Sequence, residues 1–133
     1  MNWFLLLILA FMAFMVVRQL IAMRPGIPLE DAKAALKAGT AVLVDLREPM
    51  EWHSGVAKTA SLMPLSDLRG ERTQWRAFLE KNKGKKLLLY CASGTRSGMA
   101  ASTLKKQGFD AVNAGSLRDW DKAGWPICSP KHR

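Results

Sequence analysis

The stretch KLLLYCASGTRSGMAASTLKKQ, Lys86–Gln107, carries the clearest pattern of this chain. It opens with the apolar run Leu87–Tyr90, which is typical of a strand buried on both faces of a parallel sheet. Small residues and Arg96 follow, and from Ser97 onward apolar residues recur at the spacing of a helix. The stretch therefore predicts a strand, a tight loop that begins with Cys91, and a helix.

The loop is expected to favour a thiolate. A loop that runs into the N-terminus of a helix directs free backbone N–H groups towards one space, and these groups stabilise an anion there. Such surroundings lower the pKa of a cysteine thiol, and a nearby arginine lowers it further. We therefore expect Cys91 to be a nucleophile whose pKa is lowered by the loop amides and by Arg96.

Strand and helix patterns alternate through the rest of the chain, which predicts an α/β fold with a parallel sheet flanked by helices. The further predicted strands are Ala41–Val44, Ala60–Pro64 and Ala111–Asn113. The further predicted helices are Leu29–Ala38, Glu48–Gly55, Glu71–Lys81 and Gly115–Ala123. A helix N-terminal to this domain is predicted from a long apolar segment.

That segment is Trp3–Met23, interrupted by the polar pair Arg18 and Gln19, and its length suits a membrane span of about 20 residues. The sequence Arg24–Pro28 then breaks the helix. We predict an anchor at 1–23, a linker at 24–28, the folded domain at 29–128 and a tail at 129–133. A cleaved signal peptide and an interfacial helix are the alternatives, although the segment has no basic n-region before it and no A-x-A cleavage site at its end.

The flanking charges predict the side of the membrane. Arg18 and Arg24 lie at the C-terminal end of the apolar segment, with Lys33 and Lys37 behind them, whereas the N-terminal flank carries only the α-amino group. The positive-inside rule then places the domain in the cytoplasm. Cleavage of the segment as a signal would instead leave the domain in the periplasm or outside the cell.

The composition restricts the kinds of molecule that the protein is expected to bind. The chain of 133 residues has 20 Lys and Arg against 11 Asp and Glu, a net charge of +9. This excess suits either a soluble basic surface or attraction to anionic lipids, and no nucleic-acid-binding motif is present, so no nucleic-acid partner is expected. The two cysteines, Cys91 and Cys128, make no disulfide framework, and no Cys/His cluster predicts a metal site.

The motifs together resemble the rhodanese-type sulfurtransferases. They are Cys91-x4-Arg96, VLVDLREPMEW at Val42–Trp52, ASLMPL at Ala60–Leu65, GFDAV at Gly108–Val112 and GSLRDWDKAGWPI at Gly115–Ile127. The resemblance covers about Ile27 to Ile127 and implies a five-stranded parallel sheet flanked by helices. Two places depart from the family pattern. Gly55–Ala60 lacks the usual Gly-His-Ile-Pro-Gly-Ala-like stretch, and Gly115-Ser116 replaces Gly-Gly.

The resemblance implies sulfur transfer. The Cys91 thiolate would take the outer sulfur of a small donor such as thiosulfate, forming a persulfide, and pass it to cyanide, a small thiol or a protein cysteine. The mechanism needs no metal and no cofactor. The loop residues expected to bind substrate are Ala92, Ser93, Gly94, Thr95 and Ser97. Arg96 is expected either to brace the loop or to contact substrate.

Other residues near the predicted site have open roles. Asp45 is expected to cap or pair with a neighbour and so fix the loop that follows it. Arg47 is included among the substrate-binding residues because its positive charge can attract an anionic substrate. It can also pair with Asp45 or with an acid on the next helix. Cys128 is either a bystander or a group that resolves the persulfide. The histidines, His53 and His132, form no evident Cys/His dyad.

Two other functions compete with sulfur transfer. One is a membrane-tethered binding or sulfur-relay module without turnover, against which the intact Cys91 argues. The other is phosphatase or arsenate-reductase chemistry in a similar loop. Cysteine phosphatases place five residues between cysteine and arginine, whereas Cys91 and Arg96 are separated by four, and the smaller loop favours sulfur over phosphate.

Overall fold

The computed structural model describes residues 2–132, so Met1 of the predicted anchor and Arg133 of the predicted tail lie outside the described residues. The α-helices are α1 Trp3–Met23, α2 Leu29–Ala38, α3 Leu65–Arg69, α4 Thr73–Lys81, α5 Thr95–Lys106 and α6 Leu117–Lys122. The strands are β1 Ala41–Asp45, β2 Val56–Ala57, β3 Ser61–Leu62, β4 Lys86–Cys91, β5 Ala111–Ser116 and β6 Ile127–Cys128. Short 3-10 helices cover Pro49–Ser54 and Pro130–His132.

Parallel strands form the main sheet, in the spatial order β3, β1, β4, β5. The central pair, β1 and β4, runs in register from Ala41 opposite Lys86 to Asp45 opposite Tyr90. The predicted α/β class, with a parallel sheet flanked by helices, is confirmed. In the described part of the chain this sheet has four strands rather than five, because β2 pairs antiparallel with β6 in a separate two-stranded sheet.

Side chains of β4 alternate between two apolar cores, as expected for a strand buried on both faces. The first core includes Leu87, Leu89, Cys91, Trp75 and Leu104. The second includes Leu88, Tyr90, Trp120, Ala32 and Leu43. The helices that carry these tryptophans cover opposite faces of the sheet. Strand β4 is therefore packed on both faces up to Cys91, its last residue.

Several predicted boundaries shift by a few residues for local reasons. Helix α2 has the predicted bounds and ends at Gly39, whose φ of +77° stops it. Helix α5 begins at Thr95, two residues earlier than predicted, because Gly94 with a φ of +92° already turns the chain. Strand β5 continues through Ser116, whose hydroxyl caps α6, so the last helix starts after it.

Other segments differ more from the sequence prediction. The segment predicted as a helix over Glu48–Gly55 is a 3-10 helix, with a proline at its start. Helix α4 begins at Thr73 rather than Glu71, because Arg72 has a left-handed φ of +58°. Helix α3 was not expected, since its five residues are too few to show a helical period.

Helix α1 stands outside both cores. None of its residues is buried, and its 21 residues span about 30 Å at about 1.5 Å per residue. Among the described residues it is the helix long and apolar enough to cross a membrane, and a signal sequence near an N-terminus has the same properties. Its C-terminal end lies against α5 and β5, next to the loop that follows β4.

Candidate active site

The loop after β4 brings backbone amides to a cysteine sulfur. Cys91 is the last residue of β4, and only Ala92–Gly94 separate it from α5. The N–H of Gly94 donates to Cys91 Sγ at 3.1 Å, and the N–H of Ser97 does so at 3.4 Å. This convergence is the geometry that the sequence predicts for a loop entering a helix N-terminus.

The surroundings of Cys91 act on its pKa in opposite directions. Burial raises the pKa of the thiol, but hydrogen bonding with the Ser97 hydroxyl and with the backbone of Ser97, Ser93 and Gly94 outweighs it, and the pKa falls below its ordinary value. The hydrogen bonds dominate this effect. The charge of Arg96 also attracts the Cys91 thiolate, as the sequence predicts, but this attraction is weaker than the hydrogen bonds.

The sulfur lies beneath the loop. Cys91 is 0% exposed, whereas Ala92 and Ser93 are exposed above it. The Ser93 hydroxyl donates to Thr95 Oγ1 at 3.2 Å, so these two predicted substrate-binding side chains bind each other at the loop surface. A substrate must pass this surface layer to reach the thiol.

Arg96 connects the loop to the first 3-10 helix. Its guanidinium makes a bidentate pair with Glu51 of the first 3-10 helix, and both nitrogen–oxygen distances are 2.8 Å. The hydrogen bond from Arg96 is the largest cause that lowers the pKa of Glu51 to about 2. Glu51 also accepts from the N–H of Glu48 at 2.8 Å, which fixes the carboxylate to its own helix. These contacts favour the bracing role of Arg96 over a substrate contact.

Asp45 and Arg47 form a buried network on the loop after β1. Arg47 Nη2 lies 2.9 Å from Asp45 Oδ2, and the exposed fractions of the two side chains are 4% and 0%. Asp45 also accepts from the backbone N–H of Arg47 at 2.9 Å and from the Tyr90 hydroxyl at 2.7 Å. Burial and the negative charge of Asp45 raise the pKa of Tyr90, which stays protonated and donates.

The contacts of Arg47 favour the alternative of pairing with Asp45 over the predicted substrate-binding role. The Arg47 guanidinium is occupied by Asp45 and by the carbonyl oxygens of Glu51 and Gly55, at 3.2 Å and 2.6 Å. Because these acceptors enclose it, it does not face the cysteine loop as a free cation. Asp45 pairs with Arg47, as the sequence allowed, and the structural role of Asp45 stays a prediction.

Ser97 connects the thiol to a polar residue of β5. Its hydroxyl lies 3.4 Å from Cys91 Sγ and donates to Asn113 Oδ1 at 2.7 Å. Asn113 is 8% exposed, and its Oδ1 also accepts from the N–H of Gly115 at 2.9 Å. The side chain of Asn113 thus lies one hydrogen bond away from the residue that contacts the sulfur.

Three residues of this site were not predicted from the sequence: Glu51, Tyr90 and Asn113. A polar side chain within the otherwise apolar strand β5 was a signal for Asn113, because buried polar groups require partners. No comparable signal identified Glu51 among the other surface acids. Tyr90 read as part of an apolar strand, although its hydroxyl needs a partner when buried.

Cys128 lies in β6, apart from the main sheet, and both cysteines are free thiols. A role for Cys128 in resolving a persulfide stays a prediction. Among residues 2–132, no group of three or more His, Cys, Asp or Glu side chains is arranged to hold a metal ion.

The sequence matches the Rhodanese-like domain family over residues 28–123. The chain belongs to the rhodanese-like family. A rhodanese-related protein from Thermoplasma volcanium superposes with a TM-score of 0.64 at 28% identity, covering 79% of this chain and 98% of that one. The human single-domain sulfurtransferase TSTD1 superposes with a TM-score of 0.59 at 27% identity, covering 74% and 96% of the two chains.

A cyanobacterial relative is similar in sequence. The uncharacterized protein slr1261 of Synechocystis is 34% identical over 93 residues, which are 68% of this chain. The match spans 49% of slr1261, about half of its length. Rhodanese-like membership supports a sulfurtransferase-like enzyme in general, with small sulfur substrates and thiol acceptors, and leaves the particular donor and acceptor to be proposed from the site.

Proposed function

We propose that this rhodanese-like protein is a sulfurtransferase that moves sulfane sulfur through a persulfide on Cys91. The observation that carries the proposal is the convergence of the Gly94 and Ser97 N–H groups on the Cys91 sulfur, at 3.1 Å and 3.4 Å. These donors favour the thiolate before the reaction. They are also placed to stabilise the negative charge of a persulfide afterwards.

The first half-reaction uses thiosulfate as the model donor. The Cys91 thiolate attacks the outer sulfur, a sulfur–sulfur bond to Cys91 forms, and the bond to the sulfonate sulfur breaks with its electron pair. Sulfite leaves, and the terminal persulfide sulfur carries the negative charge. Because the thiol is already favoured as its anion, this step needs no general base.

The second half-reaction regenerates the enzyme. Cyanide or a thiolate attacks the terminal sulfur of the persulfide, and the sulfur–sulfur bond breaks with its electron pair on Cys91. The products are thiocyanate or a new persulfide on the acceptor, together with the Cys91 thiolate. The likeness to the human single-domain sulfurtransferase supports this assignment, as does the cysteine nucleophile in the loop.

The decisive experiment is intact-mass analysis of the purified full chain in detergent after incubation with thiosulfate. We expect a product heavier by one sulfur atom, which cyanide removes with release of thiocyanate. Cys91→Ser should abolish the adduct because serine is nearly isosteric but does not form the thiolate, and Cys128→Ser should retain it. Equal loss of the adduct in both variants would contradict a single nucleophile, and its absence from wild type would reject the proposal.

Loop size tests the phosphatase alternative. With Ala92–Thr95 between Cys91 and Arg96, we expect little hydrolysis of aryl phosphates by wild type. One glycine inserted between Gly94 and Thr95 should weaken thiosulfate turnover, because the amides would no longer converge on the sulfur. Robust phosphatase activity in the unmodified protein would favour the alternative, and a persistent persulfide without turnover would favour a relay module.

We further propose that α1 remains attached as a membrane anchor and that the domain faces the cytoplasm. Arg18 and Arg24 at its C-terminal end support this orientation. A reducing compartment also suits a persulfide-forming thiol. Intact mass of the membrane-extracted protein tests the anchor directly, since a chain shortened by the first 22 residues would show that the segment is a cleaved signal.

A further inference from the structure

Residues Ala22–Gly26, here named the docking segment, comprise the end of α1 and the turn after it, and they lie against the catalytic loop. Three glycines of the domain leave room for it. A Cβ on Gly94 would collide with the Met23 carbonyl oxygen, a Cβ on Gly98 would lie 3.0 Å from the Ala22 oxygen, and a Cβ on Gly115 would lie 2.8 Å from Pro25 Cγ. The domain is therefore shaped to receive this segment.

Asn113 joins the docking segment to the loop. Its Nδ2 donates towards the carbonyl oxygens of Ala22 at 3.2 Å, Arg24 at 3.4 Å and Gly94 at 3.0 Å. The backbone strengthens the same junction, because the N–H of Gly26 donates to the Asn113 carbonyl at 2.7 Å. Gly94 is thus held at its carbonyl by Asn113, while its N–H donates to the Cys91 sulfur at 3.1 Å.

The oxygen of the Asn113 amide fixes the Ser97 hydroxyl by accepting its hydrogen bond. Among residues 2–132, Asn113 Oδ1 accepts from the Ser97 hydroxyl and the Gly115 N–H, whereas the hydrogen-bond partners of Nδ2 are carbonyl oxygens. This pattern fixes the orientation of the amide. Both residues that donate N–H groups to Cys91, Gly94 and Ser97, are therefore held by one side chain.

We propose that Asn113 is a positioning residue that couples the docking segment to Cys91, so that the end of α1 is a working part of the active site. The role of Asn113 in catalysis rests on the proposed function, because it acts on the same thiol. Its effect on the thiol itself is independent of which substrate the enzyme uses. The prediction is that disturbing either Asn113 or the docking segment makes Cys91 less acidic.

The variants that test this coupling do not substitute any of the charged residues that face the loop. Arg96 of α5 is attracted to the Cys91 thiolate and to Glu48, but its guanidinium is paired with Glu51. A change in the titration of Cys91 would therefore come from the hydrogen bonds around Gly94, Ser97 and Asn113.

The test measures the rate of iodoacetamide alkylation of Cys91 against pH, in the full chain in detergent with a Cys128→Ser background. The midpoint of the profile reports the thiol pKa even though burial slows the absolute rate. Asn113→Leu should raise the midpoint by about one pH unit, because the Gly94 and Ser97 N–H groups would no longer be held towards the sulfur, and weakening a hydrogen bond to a charged group has about this effect. A lowered midpoint would mean that the Ser97 hydroxyl, released from Asn113, donates to the thiolate instead, and it would overturn the proposal. A lower melting temperature with an unchanged midpoint would make Asn113 merely structural and overturn the proposal.

Gly98→Ala tests the docking segment while Asn113 itself is retained. Gly98 has a helical φ, so alanine favours α5 by its helix propensity but presses on the Ala22 oxygen and on Asn113 Nδ2, 3.0 Å and 3.1 Å from the new Cβ. The midpoint should rise without loss of stability, and the exposed Ser102→Ala on the same helix should leave it unchanged.

The possible outcomes separate the two proposals. This pair of variants decides the coupling even if Asn113→Leu fails to fold. An unshifted midpoint in Gly98→Ala, or an equal shift in Ser102→Ala, would overturn the coupling. The same samples are then incubated with thiosulfate: shifted midpoints in a protein that forms no sulfur adduct would reject the proposed function and retain the role of Asn113.

Discussion

Glu51→Gln should weaken the fold at neutral pH and have a progressively smaller effect as the pH falls. The substitution keeps the size of the side chain but removes the negative charge that pairs with Arg96. Because the glutamine side chain retains one acceptor oxygen, part of the bidentate contact survives. The variant therefore isolates the charge of the pair between the first 3-10 helix and the catalytic loop.

The size of the effect follows from the pKa of Glu51, which falls from an ordinary value of 4.5 to about 2 in the folded protein. This shift alone corresponds to about 3 kcal/mol. Both side chains are 32% exposed, and screening by solvent reduces the expected loss to about 1 kcal/mol. Because the folded pKa is the lower one, the stabilisation is complete above pH 4.5 and disappears as the pH falls through about 2.

The assay is urea unfolding of the full chain in detergent, followed by the fluorescence of the buried Trp75 and Trp120. It is repeated from pH 7 down to the lowest pH at which wild type remains folded. Glu80→Gln is the matched control, since Glu80 pairs with Lys83 at 3.0 Å on the surface, with 73% and 70% of the two side chains exposed. Its effect should stay below about 0.5 kcal/mol.

Two results would refute the reasoning about Glu51. A loss of stability that is the same at pH 7 and at the lowest pH would show that the carboxylate charge is not responsible. A loss of equal size in Glu80→Gln would show that the bidentate geometry and partial burial of the Glu51 pair add nothing to an ordinary surface pair.

The remaining predictions concern the network, the loop and the membrane topology. Tyr90→Phe should lower the free energy of unfolding by about 1–3 kcal/mol, because Asp45 loses a donor in a buried site; urea unfolding measures it, and no change would contradict that role. Gly94→Ala should abolish persulfide formation, because alanine is strained at a φ of +92° and its Cβ meets the last carbonyl of α1; intact mass measures it, and full activity would contradict the loop geometry. With Cys91→Ser, the partly exposed Cys128 is the remaining thiol. A membrane-impermeant maleimide should label it only after cell lysis, and labelling of intact cells would place the domain outside.

The sequence was sufficient to predict the strands and helices whose apolar residues follow a clear pattern or which end next to a residue that breaks them. The run Leu87–Tyr90 and the cysteine loop were predicted at their correct positions, because apolar side chains on both faces leave one way to bury the strand. Helix α2 has its predicted bounds because Gly39 stops it. The two-residue strands β2 and β6 carry no period, so their antiparallel pairing, and hence the strand count of the main sheet, depends on tertiary contacts.

The position of the cysteine in the candidate site was predictable from the sequence, but the residues that support it were not. Cys91 and the direction of the loop amides follow from local geometry, which a sequence records. The partner of Arg96 is Glu51, 45 positions earlier, and the choice among the surface acids is made only by the fold. The partner of Arg47 was equally open in the sequence, which allowed it to face an anionic substrate. In the fold it pairs with Asp45.

The contact between α1 and the catalytic loop has a consequence for how substrates arrive. A helix of 21 residues set across a bilayer would use its full length in the hydrocarbon layer, and its last carbonyl contacts Gly94. The loop would then lie at the lipid surface, with no flexible tether to carry it into bulk solvent. An acceptor thiol resident in the same membrane would meet it by lateral diffusion within a thin layer, which raises its effective concentration. A soluble acceptor could approach from only one side, so sulfur from a dissolved donor would be delivered preferentially to membrane-bound recipients.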